Sequence, residues 1–351
     1  MANKKKLAVI GYGGMGGFHA RTALRSDVVE AAGIFDIDPA RMQKAREDGL
    51  NTYESLEAVL ADPTVEIVTV ATPNDHHKEI AIAALNAGKN VICEKPVAMN
   101  SAELEAMIAA AKRNGKLFTV HQNRRWDTDK ITVAELVASG SIGQVASIES
   151  RVHGSRGIPG DWRKVKAEGG GMVLDWGVHL IDQAIMIFKD VKITSVYARL
   201  EYITGCEVDD GCHIVMTFEN GAAYTVEVGT SNFIYLPRFY VRGSQGSAII
   251  REWNAPLEVV IKKDAIEKDA VPIRAQSGIT KTMAPRDGDT TITYEIAMPT
   301  SDVHDFYRNF CRAIDGLEEQ IVTHDEMRRV MKVMELAFRS AESGQVIHEV
   351  F

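Results

Sequence analysis

Residues 7–10, Leu-Ala-Val-Ile, form a short apolar run that ends in Gly11-Tyr12-Gly13-Gly14-Met15-Gly16, and a helical pattern then continues to Arg25. A strand that turns through glycines into a helix constrains this chain more than any other feature of it. The helix must pack back on its own strand, and the next parallel strand needs a crossover. The following residues supply the repeats. Residues 28–35 read as a second strand, 39–47 as a helix ended near Gly49, and 67–71, 90–93 and 117–120 as further short strands. Between the last two, Leu104, Met107, Ile108 and Ala111 recur at i, i+3, i+4 and i+7, one apolar helix face. Asn100 as N-cap, Glu103 three residues on and Gly115 as stop bound that helix. This alternation predicts βαβ units and a doubly wound parallel sheet over residues 1–122.

After residue 123 the pattern changes. A helix is expected over 128–138, then strands over 145–152, 193–202, 213–218, 223–228, 239–241 and 248–250. Asn220-Gly221 marks a hairpin between two of them. Helical segments are expected at 173–188, 301–314 and 324–341, and the turn-rich stretch 274–289 reads as a surface loop. Residues 123–351 are therefore expected to form an α+β domain with a large, mainly antiparallel open sheet. A length of 351 residues suits two such cores.

Composition removes several classes of function. Forty Lys+Arg against 48 Asp+Glu give a formal charge of −8, which disfavours a nucleic-acid partner. No apolar run approaches the roughly 20 residues that span a bilayer. Lys4-Lys5-Lys6 is followed by only four apolar residues, too short for a secretory signal. Cys93, Cys206, Cys212 and Cys311 form no Cys-x-x-Cys pair, so neither a zinc ribbon nor a disulfide framework is suggested. A cytoplasmic, soluble protein is expected, with no membrane association.

The glycine turn also carries chemistry. Gly11, Gly13 and Gly16 match G-x-G-x-x-G after a strand and before a helix, and Asp36 follows Gly16 by twenty residues at the end of the second strand. Gly11 permits the tight turn, Gly13 the approach of a pyrophosphate and Gly16 close packing of helix on strand. The helix N-terminus offers free N–H groups to the anion. Asp36 would accept hydrogen bonds from ribose hydroxyls, and its charge, reinforced by Asp38, would repel a 2′-phosphate. The nearest basic residue is Arg41. NAD is therefore expected in preference to NADP. Tyr12, Gly14, Met15 and Ile37 border the same place in sequence. Ala71-Thr72-Pro73-Asn74 follows the third strand, with His77 a helix turn on, and can line the groove; Asn74 or Asp75 can also cap the next helix.

Two further clusters suggest catalysis. Glu94-Lys95-Pro96 follows a strand directly, which puts Lys95 at the rim of the crevice. In Gly169-Gly170-Gly171-Met172-Val173-Leu174-Asp175-Trp176-Gly177-Val178-His179-Leu180-Ile181-Asp182, the residues Asp175, His179 and Asp182 fall at i, i+4 and i+7. On a regular helix that is one face, with Asp175 able to orient His179 and raise its basicity. The lack of a nearby fourth ligand argues against a metal.

The ordered set of the glycine turn, Asp36, Thr72-Pro73-Asn74-x-x-His77, Glu94-Lys95-Pro96 and the Asp175/His179/Asp182 segment resembles the glucose–fructose oxidoreductase, inositol dehydrogenase and rhizopine catabolism (Gfo/Idh/MocA) family. The resemblance covers essentially the whole chain. His121-Gln122-Asn123-Arg124-Arg125-Trp126-Asp127 further resembles the scyllo-inositol dehydrogenase branch, whose members commonly use NADP; Asp36 departs from that pattern. The resemblance implies hydride transfer between nicotinamide C4 and a carbon of a cyclic polyol, sugar or glycoside. It implies Lys95 at the reacting hydroxyl, His179 held by Asp175 as the acid–base, and Asp182 on another hydroxyl or in the helix. Trp162-Arg163 would reach over nicotinamide and substrate, with Glu94 and Gln122 beside the cofactor and Arg124 and His153 as further substrate contacts. A redox-neutral glycosidase that uses NAD transiently would employ the same residues. The family's usual assembly implies a homodimer or homotetramer through the second sheet.

Overall fold

The computed structural model describes residues 4–263 and 270–351. Its first half alternates β1 (Lys5–Ile10), α1 (Gly14–Arg25), β2 (Val29–Phe35), α2 (Pro39–Glu47), α3 (Leu56–Ala61), β3 (Ile67–Val70), α4 (His77–Asn86), β4 (Asn90–Cys93), α5 (Ser101–Asn114) and β5 (Phe118–Val120). The five strands form one parallel sheet in the order β2-β1-β3-β4-β5. β3 and β4 are buried along their whole length, as expected of strands covered on both faces. The order reverses beside β1, so a crevice opens there between the loops that follow β1 and β3. Asn100 caps α5 by accepting from the Glu103 N–H at 2.9 Å, and Gly115 ends it in the left-handed region, as the sequence predicts.

The second half runs α6 (Thr128–Ser139), β6 (Val145–His153), a π-helical turn (Val173–Gly177), α7 (Val178–Ile187), β7 (Ile193–Glu201), β8 (Gly211–Phe218), β9 (Ala223–Gly229), β10 (Phe239–Gly243), β11 (Gly246–Ile250) and β12 (Leu257–Lys262). There follow β13 (Ile273–Ala275), β14 (Gly278–Thr280), β15 (Thr291–Ile296), α8 (Asp305–Ile314), α9 (His324–Ser343) and β16 (Ile347–His348). Nine strands make a sheet in the order β15-β12-β11-β10-β6-β9-β8-β7-β16, antiparallel except where β6 meets β9. Alternation along β8 buries Cys212, Ile214, Met216 and Phe218 and leaves His213, Val215 and Thr217 half-buried on the other face. One face therefore carries the core and the other is open.

Three strands of this sheet (β12, β15 and β16) go unassigned in the sequence reading. The stretch 274–289, read as a loop, contains part of the small β13–β14 hairpin. Its residues are nearly all exposed, so no apolar period betrays it.

The C-terminal helices return to the first unit. Tyr307 of α8 meets His19 of α1 at 2.5 Å from hydroxyl to Nδ1, Lys5 Nζ donates to Asp315 at 2.7 Å, and the Ser101 N–H donates to Glu335 of α9. Residues distant in sequence thus fasten the two sheets together. Tyr307→Phe removes one partner of a buried pair. A loss of about 1–3 kcal/mol is expected in urea unfolding, the typical cost of leaving a buried polar atom unsatisfied.

Candidate active site

The glycine turn lies at the carboxyl end of β1. Gly11 has φ +92°, and a Cβ on Gly16 would come within 1.9 Å of the Gly11 carbonyl oxygen, so α1 packs on the turn only without one. Gly13 and Gly14 face open space instead: the nearest atom to a Cβ at Gly13 is Arg41 Nη1 at 3.7 Å, and at Gly14 there is none within 4 Å. The N-cap of α1 carries no side-chain hydrogen bond. This leaves an open cradle at a positive helix end, which fits a dinucleotide pyrophosphate.

Asp36, 7% exposed, accepts from the Tyr12 N–H at 2.6 Å and from the Asp38 N–H at 2.8 Å, so it shapes the turn as well as facing the crevice. Asp38 caps α2 by accepting from Ala40 N. Arg41 lies against both, with Nη1 3.4 Å from Asp36 and Nε 3.7 Å from Asp38. The acidic charge at this point is therefore partly offset. Ile37 beside it is 87% exposed, an apolar surface at the carboxyl end of β2. Tyr12 is buried with its hydroxyl on Asp48 at 2.8 Å, and Met15 is half-buried in the first turn of α1.

Two buried polar atoms near the crevice have no protein partner: Thr72 Oγ1 after β3 and Gln122 Oε1 after β5. Such groups are free to bond a water or a ligand. Three other predicted cofactor contacts are occupied differently. His77 is fully buried with Nδ1 2.9 Å from the Pro96 carbonyl and Nε2 3.1 Å from that of Thr72; it ties two loops together rather than lining the groove. Asn74 caps no helix; its Nδ2 donates to the Gly169 carbonyl at 2.8 Å, and Asp75 makes no cap either. Glu94 is 4% exposed, and its carboxylate accepts from His19 and His121 at 2.8 Å each and from the Lys95 N–H at 3.2 Å. His19, Glu94 and His121 also converge closely enough to hold a metal ion, and hydrogen bonding already occupies all their facing atoms.

Lys95 and Asp175 meet as a pair. Lys95 Nζ donates to Asp175 Oδ1 at 2.9 Å and to the Asp175 carbonyl at 3.0 Å. Arg163 Nε stands 3.4 Å from Asp175 Oδ2, while its Nη1 holds Asp161. Burial alone would raise the Asp175 carboxyl, but Lys95 and Arg163 outweigh it and hold the group below the usual carboxylate range. Trp162 lies under the Arg163 guanidinium at 4.6 Å.

His179 corrects the sequence expectation. Because Val173–Gly177 is a π-turn, the i, i+4 spacing does not stack Asp175 under His179. Asp175 is taken by two cations, and His179 Nδ1, buried, has no hydrogen-bond partner. Nor is the imidazole made more basic: burial first, then Lys95 and Arg124, push it well below its ordinary value. Asp182 is engaged within the protein. It accepts a bidentate pair from buried Arg125, Nε at 2.8 Å and Nη2 at 2.6 Å, and Arg125 also reaches Glu326 at 3.0 Å.

Beside this centre lies a cavity of about 480 Å³, lined among others by Arg124, His153, Asp175, Trp176 and Trp253. Arg124 stacks on Trp176 at 4.1 Å. Both ring nitrogens of His153 are engaged, Nε2 with Glu227 at 3.3 Å and Nδ1 with the Leu236 N–H at 3.3 Å, so it forms wall rather than a free contact. Sequence reasoning missed Trp253, which stands in a turn after β11 with no motif around it, and His19, hidden inside the first helix.

A family model described as an oxidoreductase family with an NAD-binding Rossmann fold matches residues 5–122, and the GFO/IDH/MocA C-terminal domain matches residues 131–249. The chain belongs to the Gfo/Idh/MocA family and is an NAD-binding oxidoreductase. It is similar to an uncharacterized oxidoreductase of Schizosaccharomyces pombe, 32% identical over 84% of each chain. It is also similar to a scyllo-inositol 2-dehydrogenase (NADP(+)) of Bacillus subtilis, IolW, 26% identical over 97% of this chain and 95% of that one. A solved NAD-binding protein from Listeria innocua is 47% identical over 99% of this chain and 100% of its own, with a TM-score of 0.95. Among the described residues no helix is long and apolar enough to cross a membrane.

The Arg125–Asp182 pair gives a test of the structural reading of Asp182. Asp182→Ala leaves a buried guanidinium short of its partner and is expected to cost about 3–5 kcal/mol of stability in chemical unfolding. A loss of activity with unchanged stability would return Asp182 to the substrate.

Proposed function

We propose that the chain is an NAD-dependent dehydrogenase that moves a hydride between nicotinamide C4 and a secondary alcohol or ketone of a cyclic polyol, sugar or glycoside. The observation that carries this reading is Lys95, whose ammonium gives two of its three N–H groups to Asp175 and keeps one for a ligand. Residues 1–122 handle the cofactor and 123–351 the substrate. Bound NAD supplies the hydride acceptor; every other role falls to the chain.

The free N–H of Lys95 donates to the oxygen of the reacting hydroxyl and stabilises negative charge on it as the proton leaves. Asp175 fixes the direction of that N–H and, with Arg163, keeps the ammonium oriented. His179 takes the proton: it is held neutral near pH 7, and no hydrogen bond to a described residue occupies its ring nitrogens. In the reverse direction it returns the proton to the carbonyl oxygen. Thr72, Gln122 and the glycine cradle orient the cofactor, and Asp36 takes its ribose hydroxyls, which favours NAD over NADP.

We assign the open face of the nine-stranded sheet to a homodimer or homotetramer contact, supported by half-buried Val215, Ile249 and Val260 on it. The four cysteines are free thiols, in keeping with the reducing cytoplasm.

Lys95→Ala and His179→Ala are each expected to lower kcat by about 10²–10⁴, the usual worth of a positioned acid–base group, with NADH binding retained. Near-normal turnover in both would sink the mechanism. The depressed His179 value sets the sign of the pH response. In the oxidative direction its proton-accepting form persists as pH falls through about 6.5, the ordinary imidazole value, and is lost only below it. kcat/KM measured from pH 5 to 8 should stay level across that region; a limb at the ordinary value that vanishes in His179→Gln would count against it. Asp36→Ala should narrow the gap between the dissociation constants for NAD and NADP, and a wild-type chain that binds NADP more tightly would refute the preference.

A further inference from the structure

Trp253 combines two properties that rarely go together. It is 43% exposed, yet it is held. The Arg238 guanidinium lies 4.6 Å over its ring, and Arg238 is itself buried, ion-paired with Asp129 at 2.9 Å and donating to Ser150 at 2.7 Å. The Arg124 guanidinium lies 5.7 Å from the Trp253 ring and 4.1 Å from that of Trp176. A buried cation that fixes an exposed indole makes a rigid aromatic surface, and rigid surfaces bind with little ordering cost.

Its position relates it to the chemistry. From His179 to Trp176 the ring centroids are 5.8 Å apart, and from Trp176 to Trp253 a further 6.3 Å. A single sugar ring engaged at Lys95 and His179 covers the first of these steps and stops short of the second. The cavity volume agrees. The cavity of about 480 Å³ adjoins that centre at Asp175, without Lys95 or His179 in its lining. Its volume falls in the range that drug-sized ligands occupy, roughly 300–1,000 Å³, which leaves room beyond the reacting ring. The cavity wall that holds Trp253 also carries Pro159, Val152 and Val228, apolar surface beside the polar Arg124, His153, Asp175 and Thr230. The loop 231–237, bonded at its ends to cavity residues Gly154 and His153, adds Phe233 and Tyr235, both largely exposed.

Resting on the dehydrogenase reading above, we infer that the substrate is a glycoside: its sugar ring reacts at Lys95 and His179, and an apolar or aromatic aglycone lies on Trp253. The aglycone takes no part in the redox step. It contributes binding by stacking and by removal of apolar surface from water.

Isothermal titration of the NADH-loaded protein with the phenyl β-glycosides of glucose, galactose, mannose and xylose, each paired with its parent sugar, reads this without turnover. At least one phenyl glycoside should bind ten-fold or more tightly than its parent. In Trp253→Ala that advantage should fall to about two-fold or less, while Trp253→Phe keeps most of it; retained NADH binding shows that the variants are folded. Parent sugars that bind as well as their glycosides, or an advantage that survives in Trp253→Ala, would overturn the inference. Absorbance at 340 nm, followed separately, tests the dehydrogenase reading. Glycoside binding that depends on Trp253 without NADH formation from NAD would refute that reading and leave the aglycone site standing.

Discussion

The buried carboxylate of Glu94 organises the centre of this molecule. It sits directly after β4, almost without solvent, and three groups from three parts of the chain donate to it: His19 from α1, His121 from the end of β5 and the N–H of Lys95. Through His19 it also reaches Tyr307 on α8. Burial alone would drive such a carboxyl to protonate. His121 and His19 reverse the sign and hold it well below the usual carboxylate range. Because its folded value is depressed, the stabilisation from its charge is present above the ordinary carboxyl value and is lost as pH falls through the folded one. The helix that begins at the glycine turn and the lysine of the proposed catalytic pair are thus fixed to the same two oxygens.

That arrangement bears on how the active site holds its charges. Asp175 faces two cations, Lys95 and Arg163, and is deprotonated despite its burial. His179 stands among Lys95 and Arg124 with no carboxylate bonded to it and is kept neutral. A carboxylate paired to His179 would have made the imidazole a stronger base that is already protonated in much of the population near neutrality. The observed pairing instead assigns the anion to the lysine and leaves the imidazole free. In the proposed reaction, oriented charge of one sign and an uncharged acceptor beside it serve the transfer of a hydride and a proton from one carbinol.

Much of the fold can be read from local signals. The glycine turn, the capped helix after Asn100 and the Asn220-Gly221 hairpin each announce themselves within a few residues, because backbone conformation there depends on near neighbours. Lys95, Asp175 and His179 also stand out in sequence, but their partnership does not. The i, i+4 rule presumes an α-helix, and the π-turn at Val173–Gly177 breaks it, so the partner of Asp175 comes from eighty residues upstream. His77, Asn74 and Asp182 have the residue types of ligand contacts and serve as struts, because the carbonyls and the guanidinium they bind come from other loops. Trp253 leaves no trace, since its contacts with Arg238 and Arg124 join residues distant in sequence. β13, β14 and β15 are too exposed to show a period.

The struts have a consequence for how cofactor and substrate are held together. Asn74, at the carboxyl end of β3, bonds to Gly169, at the start of the segment that carries Asp175 and His179. His77 ties the same loop to the carbonyl of Pro96, next to Lys95. The loop after β3 is therefore bonded to the two segments that carry Lys95 and the Asp175–His179 pair of the proposed site. On the far side, α8 and α9 fasten the second unit back onto the first through Tyr307, Asp315 and Glu335. Hydride transfer tolerates little misplacement, and an error of about 1 Å can cost a hundred-fold in rate. With the cofactor on one sheet and the substrate on the other, as proposed above, that demand is met by fixed bonds across the junction. Asn74, which sequence reasoning assigned to the cofactor, provides one of these bonds, and Tyr307, Asp315 and Glu335, which it left unassigned, provide others.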